Sequence, residues 1–303
     1  ANGEFEPNTA GCIVNLTGNM TLTDGLYDQN NGTVNIGGNV TVNSGTFTVN
    51  NAASVLDVNG TYLVAGGTND LSTGTFTPEG ITVNTGQTVL IGAVNLTAGG
   101  TTLVNGTFTI DSGTGDKNLN NLTLEGNGTI NFTVNETLTV GGDLTMSGTS
   151  SIPGGNANRI VNVTGAFNVP SGTATISAFT LGVTGLTTVS GNLSITSGTG
   201  TKTLGALTIN SSGNVNFTAN ETLTIGGDLT MLGTSSITGT STNQIVDVAG
   251  TFDVTSGTGS IGGVRFTVAG ETTVDGTLSF TSTTGVKTFG NVVIGATGTW
   301  DNS

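Results

Sequence analysis

Two carboxylates, Glu136 and Asp143, return in the same order and at the same spacing as Glu221 and Asp228. Paired acids at a fixed spacing are the material of general acid–base catalysis, one protonating a leaving group while the other activates water. The same residue type binds calcium, and Asp143, Asp228, Asp247 and Asp253 lie near turns whose carbonyls would complete an oxygen shell. The calcium-binding nonapeptide GGxGxDx is missing, however, and a catalytic pair made of Glu136 and Asp143 would have to exist twice. Arg159 and Arg265 stand beside no distinctive cluster of acids. The plainer reading of the acids is a solvated face or corner that limits aggregation. Other chemistries lack their residues. With no histidine and one cysteine, Ser-His-Asp and Cys-His nucleophiles and the usual zinc sites are not available. No GxxxxGK[ST] phosphate cradle occurs.

The elements that would carry these acids are repeated too. Asn135-Glu-Thr-Leu-Thr-Val-Gly-Gly-Asp-Leu-Thr-Met146 returns as Asn220-Glu-Thr-Leu-Thr-Ile-Gly-Gly-Asp-Leu-Thr-Met231. Ser112-Gly-Thr-Gly-Asp-Lys117 returns as Ser197-Gly-Thr-Gly-Thr-Lys202 and Ser282-Thr-Thr-Gly-Val-Lys287, so all three lysines occupy one repeat position. Self-similarity at a fixed period marks an array. The organisation read from it is a diverged stretch 1–111, a repeat 112–196, a second repeat 197–281 and the start of a third at 282–303, all one continuous solenoid.

A finer period lies inside the long one. An apolar-x-apolar triplet followed by a small residue and glycine recurs as Leu138–Gly142, Val161–Gly165 and Leu181–Gly185, then as Leu223–Gly227, Val246–Gly250 and Phe266–Gly270. It appears earlier as Val14–Gly18, Val34–Gly38 and Leu56–Gly60, so a coil of about 20–23 residues runs throughout. Alternation of this kind is a strand with one buried face, and Gly and Asn supply the backbone angles of tight corners. Strands this short hold only when stacked turn upon turn. The reading is all-β: a β-solenoid, a right-handed parallel β-helix of about 14 coils and about 65–70 Å. Phe132 and Phe217, and Phe167 and Phe252, are placed in aromatic stacks inside it. A string of immunoglobulin-like sandwiches would suit the length of the longer repeat, but gives no reason for the finer motif within it.

Composition narrows the partners. The 303 residues carry 19 acids against five bases, a net charge of −14. Phosphate neutralisation needs clustered Lys and Arg, so nucleic acid is not expected, and no apolar run is long enough for membrane insertion. The start at Ala1 reads as a mature terminus after processing. Cys12 offers either a quiet thiol or a disulfide between subunits. Asn-x-Thr triplets at Asn15, Asn31, Asn121, Asn135, Asn162 and Asn220 are glycosylation sites if the source glycosylates. Thr-x-Thr ladders raise an ice-binding face, against which the interleaved valine and leucine count.

Gly191-Asn-Leu-Ser-Ile-Thr-Ser-Gly-Thr-Gly-Thr-Lys-Thr-Leu-Gly205 and Gly290-Asn-Val-Val-Ile-Gly-Ala-Thr-Gly-Thr-Trp-Asp-Asn-Ser303 resemble the repeats of Asn/Thr/Gly-rich β-helix cell-surface, adhesin-like proteins of Bacteroidota and other prokaryotes. The resemblance covers most of 112–303 and, more loosely, the stretch 1–111. It implies an extracellular, adhesive or structural role and transfers no catalytic residue. Neither end shows a polar cap, so the chain reads either as a fragment of a longer protein or, since an uncapped solenoid end is a template for another copy, as a subunit that stacks end to end. The expectation is therefore a non-enzymatic extracellular structural protein without a cofactor, joining head to tail into a filament, sheath or surface layer, with Cys12 and Trp300 at the joint. The alternative is the stalk of an adhesin with surface glycans or other cell-surface proteins as ligands. Less favoured is a β-helix polysaccharide lyase or hydrolase.

Overall fold

The computed structural model describes residues 3–302. Ala1, Asn2 and Ser303 lie outside them, and with them the processed terminus expected at Ala1. The fold is an all-β parallel solenoid of about 14 turns, and no helix occurs among the described residues. Two compact units divide the chain, Ala1–Gly142 and Asp143–Ser303; the division falls inside the repeat 112–196.

In the first unit each turn carries three strand faces. Ile13–Leu16 lies on the first, Met20–Leu22 on the second and Gly25–Gln29 on the third. One turn later Thr33–Ile36 lies parallel to Ile13–Leu16, Val14 opposite Val34 and Leu16 opposite Ile36. Further on, the strands run unbroken around the corners, so that Thr46–Val64 covers a whole turn in 19 residues. Alternation does the sorting: Val34, Ile36, Val40 and Val42 are fully buried or nearly so while the residues between them face out. The core of this unit holds a column of rings. Tyr27 stacks on Phe47 at 4.1 Å, and Phe47, Tyr62 and Phe76 continue edge to face at 5.2 and 5.3 Å.

The second unit repeats the plan. On its first face the inward column runs Leu181, Lys202, Leu223, Val246, Phe266 and Lys287, each opposite the next. On its second face Thr187 follows Phe167 and Thr272 follows Phe252, both threonines fully buried. A small inward residue beside a large one keeps the turn at constant volume. Its cost is a hydroxyl without a partner, seen at both positions. Phe132, Phe167, Phe217 and Phe252 are all buried, but the expected stacks are not formed among them; Phe252 instead packs edge to face on Phe266 of the adjacent turn at 5.2 Å. A period of four turns sets the repeat-related rings too far apart to touch.

Glycine enables the corners where a side chain would not fit. Gly115, Gly200 and Gly285, each two residues before a lysine, have φ of +81°, +80° and +79°. A Cβ on Gly200 would also meet the Phe179 carbonyl of the turn below.

Candidate functional site: lysine cradles at a repeated corner

The three lysines sit at inward positions of the first face, where an apolar side chain is the rule. Lys117 stands between Leu96 and Leu138 in register, and Lys202 between Leu181 and Leu223. Both side chains are fully buried. A buried ammonium needs its hydrogens satisfied and its charge countered. The aliphatic stem fills the core while Nζ turns back to the corner that precedes it. Lys117 Nζ donates to the carbonyls of Thr114 (3.0 Å) and Gly115 (2.6 Å). Lys202 Nζ donates to Thr199 (3.1 Å) and Gly200 (2.8 Å), and lies 5.6 Å from the Phe179 ring centre. The positive φ of the glycine aims these carbonyls inward, so the Ser-x-Thr-Gly-x-Lys motif makes its own cation cradle.

The following turn supplies the counter-charge. Glu136 Oε2 lies 3.7 Å from Lys117 Nζ, and Glu221 Oε2 lies 3.0 Å from Lys202 Nζ. In each carboxylate Oε1 accepts the backbone N–H of the next residue, Thr137 at 2.7 Å and Thr222 at 2.8 Å. The expectation of solvated acids is corrected here: the Glu136 and Glu221 side chains are only 12% and 6% exposed. Burial holds the pKa of Lys117 and of Lys202 below the ordinary lysine value, opposed by the paired glutamate in each case. Sequence reasoning isolated the lysine position but not its partner. The signal was present, because each glutamate follows its lysine by 19 residues, close to one turn.

The other singled-out residues are distributed rather than gathered. Asp143 and Asp228 occupy equivalent corners, where Oδ1 accepts the N–H of Ala166 (2.7 Å) and of Thr251 (2.8 Å) one turn on. Asp253 accepts a hydrogen bond from the Thr251 hydroxyl, and Asp247 faces out between Thr224 and Thr267. Among the described residues no three acidic, histidine or cysteine side chains converge as a metal-holding group would. Cys12 is a half-buried free thiol. Asn15, Asn135, Asn162 and Asn220 are exposed, whereas Asn31 and Asn121 are half-buried. Arg159 donates from Nη1 to Gly154 O. Its repeat counterpart Gln244 accepts the N–H groups of Thr240 and Ser241 and donates to Phe217 O. One long polar side chain thus clips each of two excursions, 154–159 and 239–244, where the chain leaves the ladder and returns.

A shallow groove runs beside the second cradle, lined by Ala157, Thr180, Gly198, Thr203 and Glu221 among others. Glu221 is the one titratable side chain in that lining, and it is already paired with Lys202. The pair ties two successive turns together. Comparison with protein-family models, with curated proteins and with solved structures gave no match for this chain.

Proposed function

We propose that the chain is a non-enzymatic structural protein of the cell exterior, adding end to end into a filament, sheath or surface layer. The observation that supports this is where apolar surface lies exposed. Among the described residues, five of the seven exposed large apolar side chains, Val286, Val292, Val293, Ile294 and Trp300, fall together within the third repeat, 282–303. Val292, Ile294 and Trp300 occupy inward positions, opposite Thr272, Val274 and Leu278, whereas Val286 and Val293 alternate with inward positions and face out. Clustered apolar surface of this kind marks an interaction site. In this reading the partner is a further copy of the chain, and the half-exposed thiol of Cys12 would lock the joint. The repeat style shared with secreted β-helix surface proteins supports an extracellular setting. The adhesin stalk is the second reading, with the lateral faces or an attached domain holding glycans or surface proteins.

Electron microscopy of the purified chain across a concentration series, with and without reductant, tests this. Threads that lengthen with concentration are expected, and their loss on reduction would place Cys12 at the joint. Separate short particles at every concentration would leave the stalk as the standing account.

A further inference from the structure

Among the described residues asparagine precedes glycine at Asn31, Asn59, Asn105 and Asn127, and all four pairs continue as Asn-Gly-Thr. An asparagine before glycine can cyclise: the glycine nitrogen, with no Cβ beside it to shield it, closes on the side-chain amide carbon when the two are held together. Because the local sequence is the same four times, any difference in reactivity comes from the fold. At Asn105 and Asn127 the nitrogen is already engaged, the Gly106 N–H donating to Val83 O at 3.2 Å and the Gly128 N–H to Glu125 O at 2.8 Å. Asn59 and Gly60 lie inside the strand Thr46–Val64. Gly32 differs. Its N–H donates to no backbone carbonyl among the described residues and is directed instead at Oδ1 of Asn31, at 2.8 Å. The amide carbon lies one bond beyond that oxygen. The rest of the corner is fixed. Gly32 has φ of +74°, and its carbonyl accepts Gln29 Nε2 at 3.0 Å and the Val55 N–H at 2.9 Å. The Thr33 N–H donates to Cys12 O at 2.8 Å. Asn31 is half-buried, so water has access to it.

We propose that Asn31 is a self-modifying site, where the chain converts a side-chain amide into a carboxylate with water as the only co-reactant. The Gly32 nitrogen gives up its proton to solvent and attacks Asn31 Cγ. A nitrogen–carbon bond forms, the Cγ–Nδ2 bond breaks, and the amide nitrogen takes up protons and leaves as ammonia. Water then opens the resulting succinimide at either carbonyl. One opening gives aspartate. The other gives isoaspartate, in which the main chain runs through the side-chain carbon and is one atom longer. Either product adds a negative charge to a chain already at −14. The longer backbone cannot keep Gly32 O on Gln29 and Val55 while Thr33 still holds Cys12, so isoaspartate loosens this corner from its neighbouring turns. The inference is independent of end-to-end assembly, since every contact it uses lies within one chain.

The test is incubation of the intact, folded chain in mildly alkaline buffer, followed by peptide mapping with electron-transfer fragmentation, which separates isoaspartate from aspartate. Short synthetic peptides around Asn31, Asn105 and Asn127 give the rate of each site without the fold. Both products are expected at position 31. Relative to its own free peptide, Asn31 should convert at least about fivefold faster than Asn105 or Asn127, which must first break a backbone hydrogen bond. The rate at Asn31 should also rise with pH, because the attacking nitrogen has to lose its proton. Slowing by the fold as great at Asn31 as at Asn105 and Asn127 would overturn the proposal. Aspartate at position 31 without isoaspartate would overturn it too, since direct hydrolysis gives aspartate alone.

Discussion

Glu221 touches a buried ammonium with one oxygen and a backbone N–H with the other, so its removal strands both groups inside the solenoid. Taking one partner from a buried pair costs more than the pair contributes against an apolar replacement. Glu221→Ala should therefore lower stability by about 3 kcal/mol, whereas Lys202→Met combined with Glu221→Leu should return most of the loss. Urea unfolding of the two variants would show it; equal losses would mean the pair is not a coupled unit. Titration gives a second expectation with a definite sign. All three lysines have pKa values held below the ordinary 10.5. Just below that value the unfolded chain binds more protons than the folded one, so stability rises with pH. Tyr27 and Tyr62 act oppositely. Both are buried with pKa values raised above 10.0, so their contribution is complete below that ordinary value and falls as the unfolded phenols ionise. The unfolding midpoint should rise as pH approaches the ordinary lysine value and turn over near about pH 10, where the unfolded phenols ionise. A fall with no rise anywhere below about pH 10 would contradict the lysine assignment.

The corner before each lysine is the element on which the cradle depends, and glycine there is demanded by geometry. Gly200→Ala would place a Cβ in left-handed backbone and against the Phe179 carbonyl. It should cost at least about 1–2 kcal/mol. Gly226→Ala meets its nearest atom at 3.7 Å without positive φ and should stay within about 0.5 kcal/mol. Thermal unfolding of the two alanine variants separates a corner glycine from a merely repeated one. The strands and corners were legible in the sequence because alternation and glycine spacing act locally: Leu223-Thr-Ile-Gly-Gly227 states its own burial pattern. The clasp was less legible. A lysine at an inward position breaks the alternation rule, and only the register of the next turn explains it. The roles of Arg159 and Gln244 were hidden further still, because two different residue types perform one task at equivalent positions.

At the scale of the molecule, interactions run between neighbouring turns, as in any quasi-one-dimensional fold. Fold class was readable from period alone because a solenoid has few ways to satisfy so short a repeat. Function was not, because the acids singled out lie at separate positions along the stack, with Asp143, Asp228, Glu136 and Glu221 tying one turn to the next. The excursions at 154–159 and 239–244 show what such a plan permits. There the backbone departs from the ladder, is tied at its base by one side chain, and rejoins with Ile160–Val163 paired to Thr180–Val183 and Ile245–Val248 to Arg265–Val268. The protruding parts meet the neighbouring turn at few points, among them Thr180 Oγ1 donating to Ala157 O and the Gly263 N–H to Gly239 O, so their length and sequence are less constrained than the paired strands. Such a chain can change what it displays to its surroundings without altering what holds it upright, carrying variable cargo on an invariant frame.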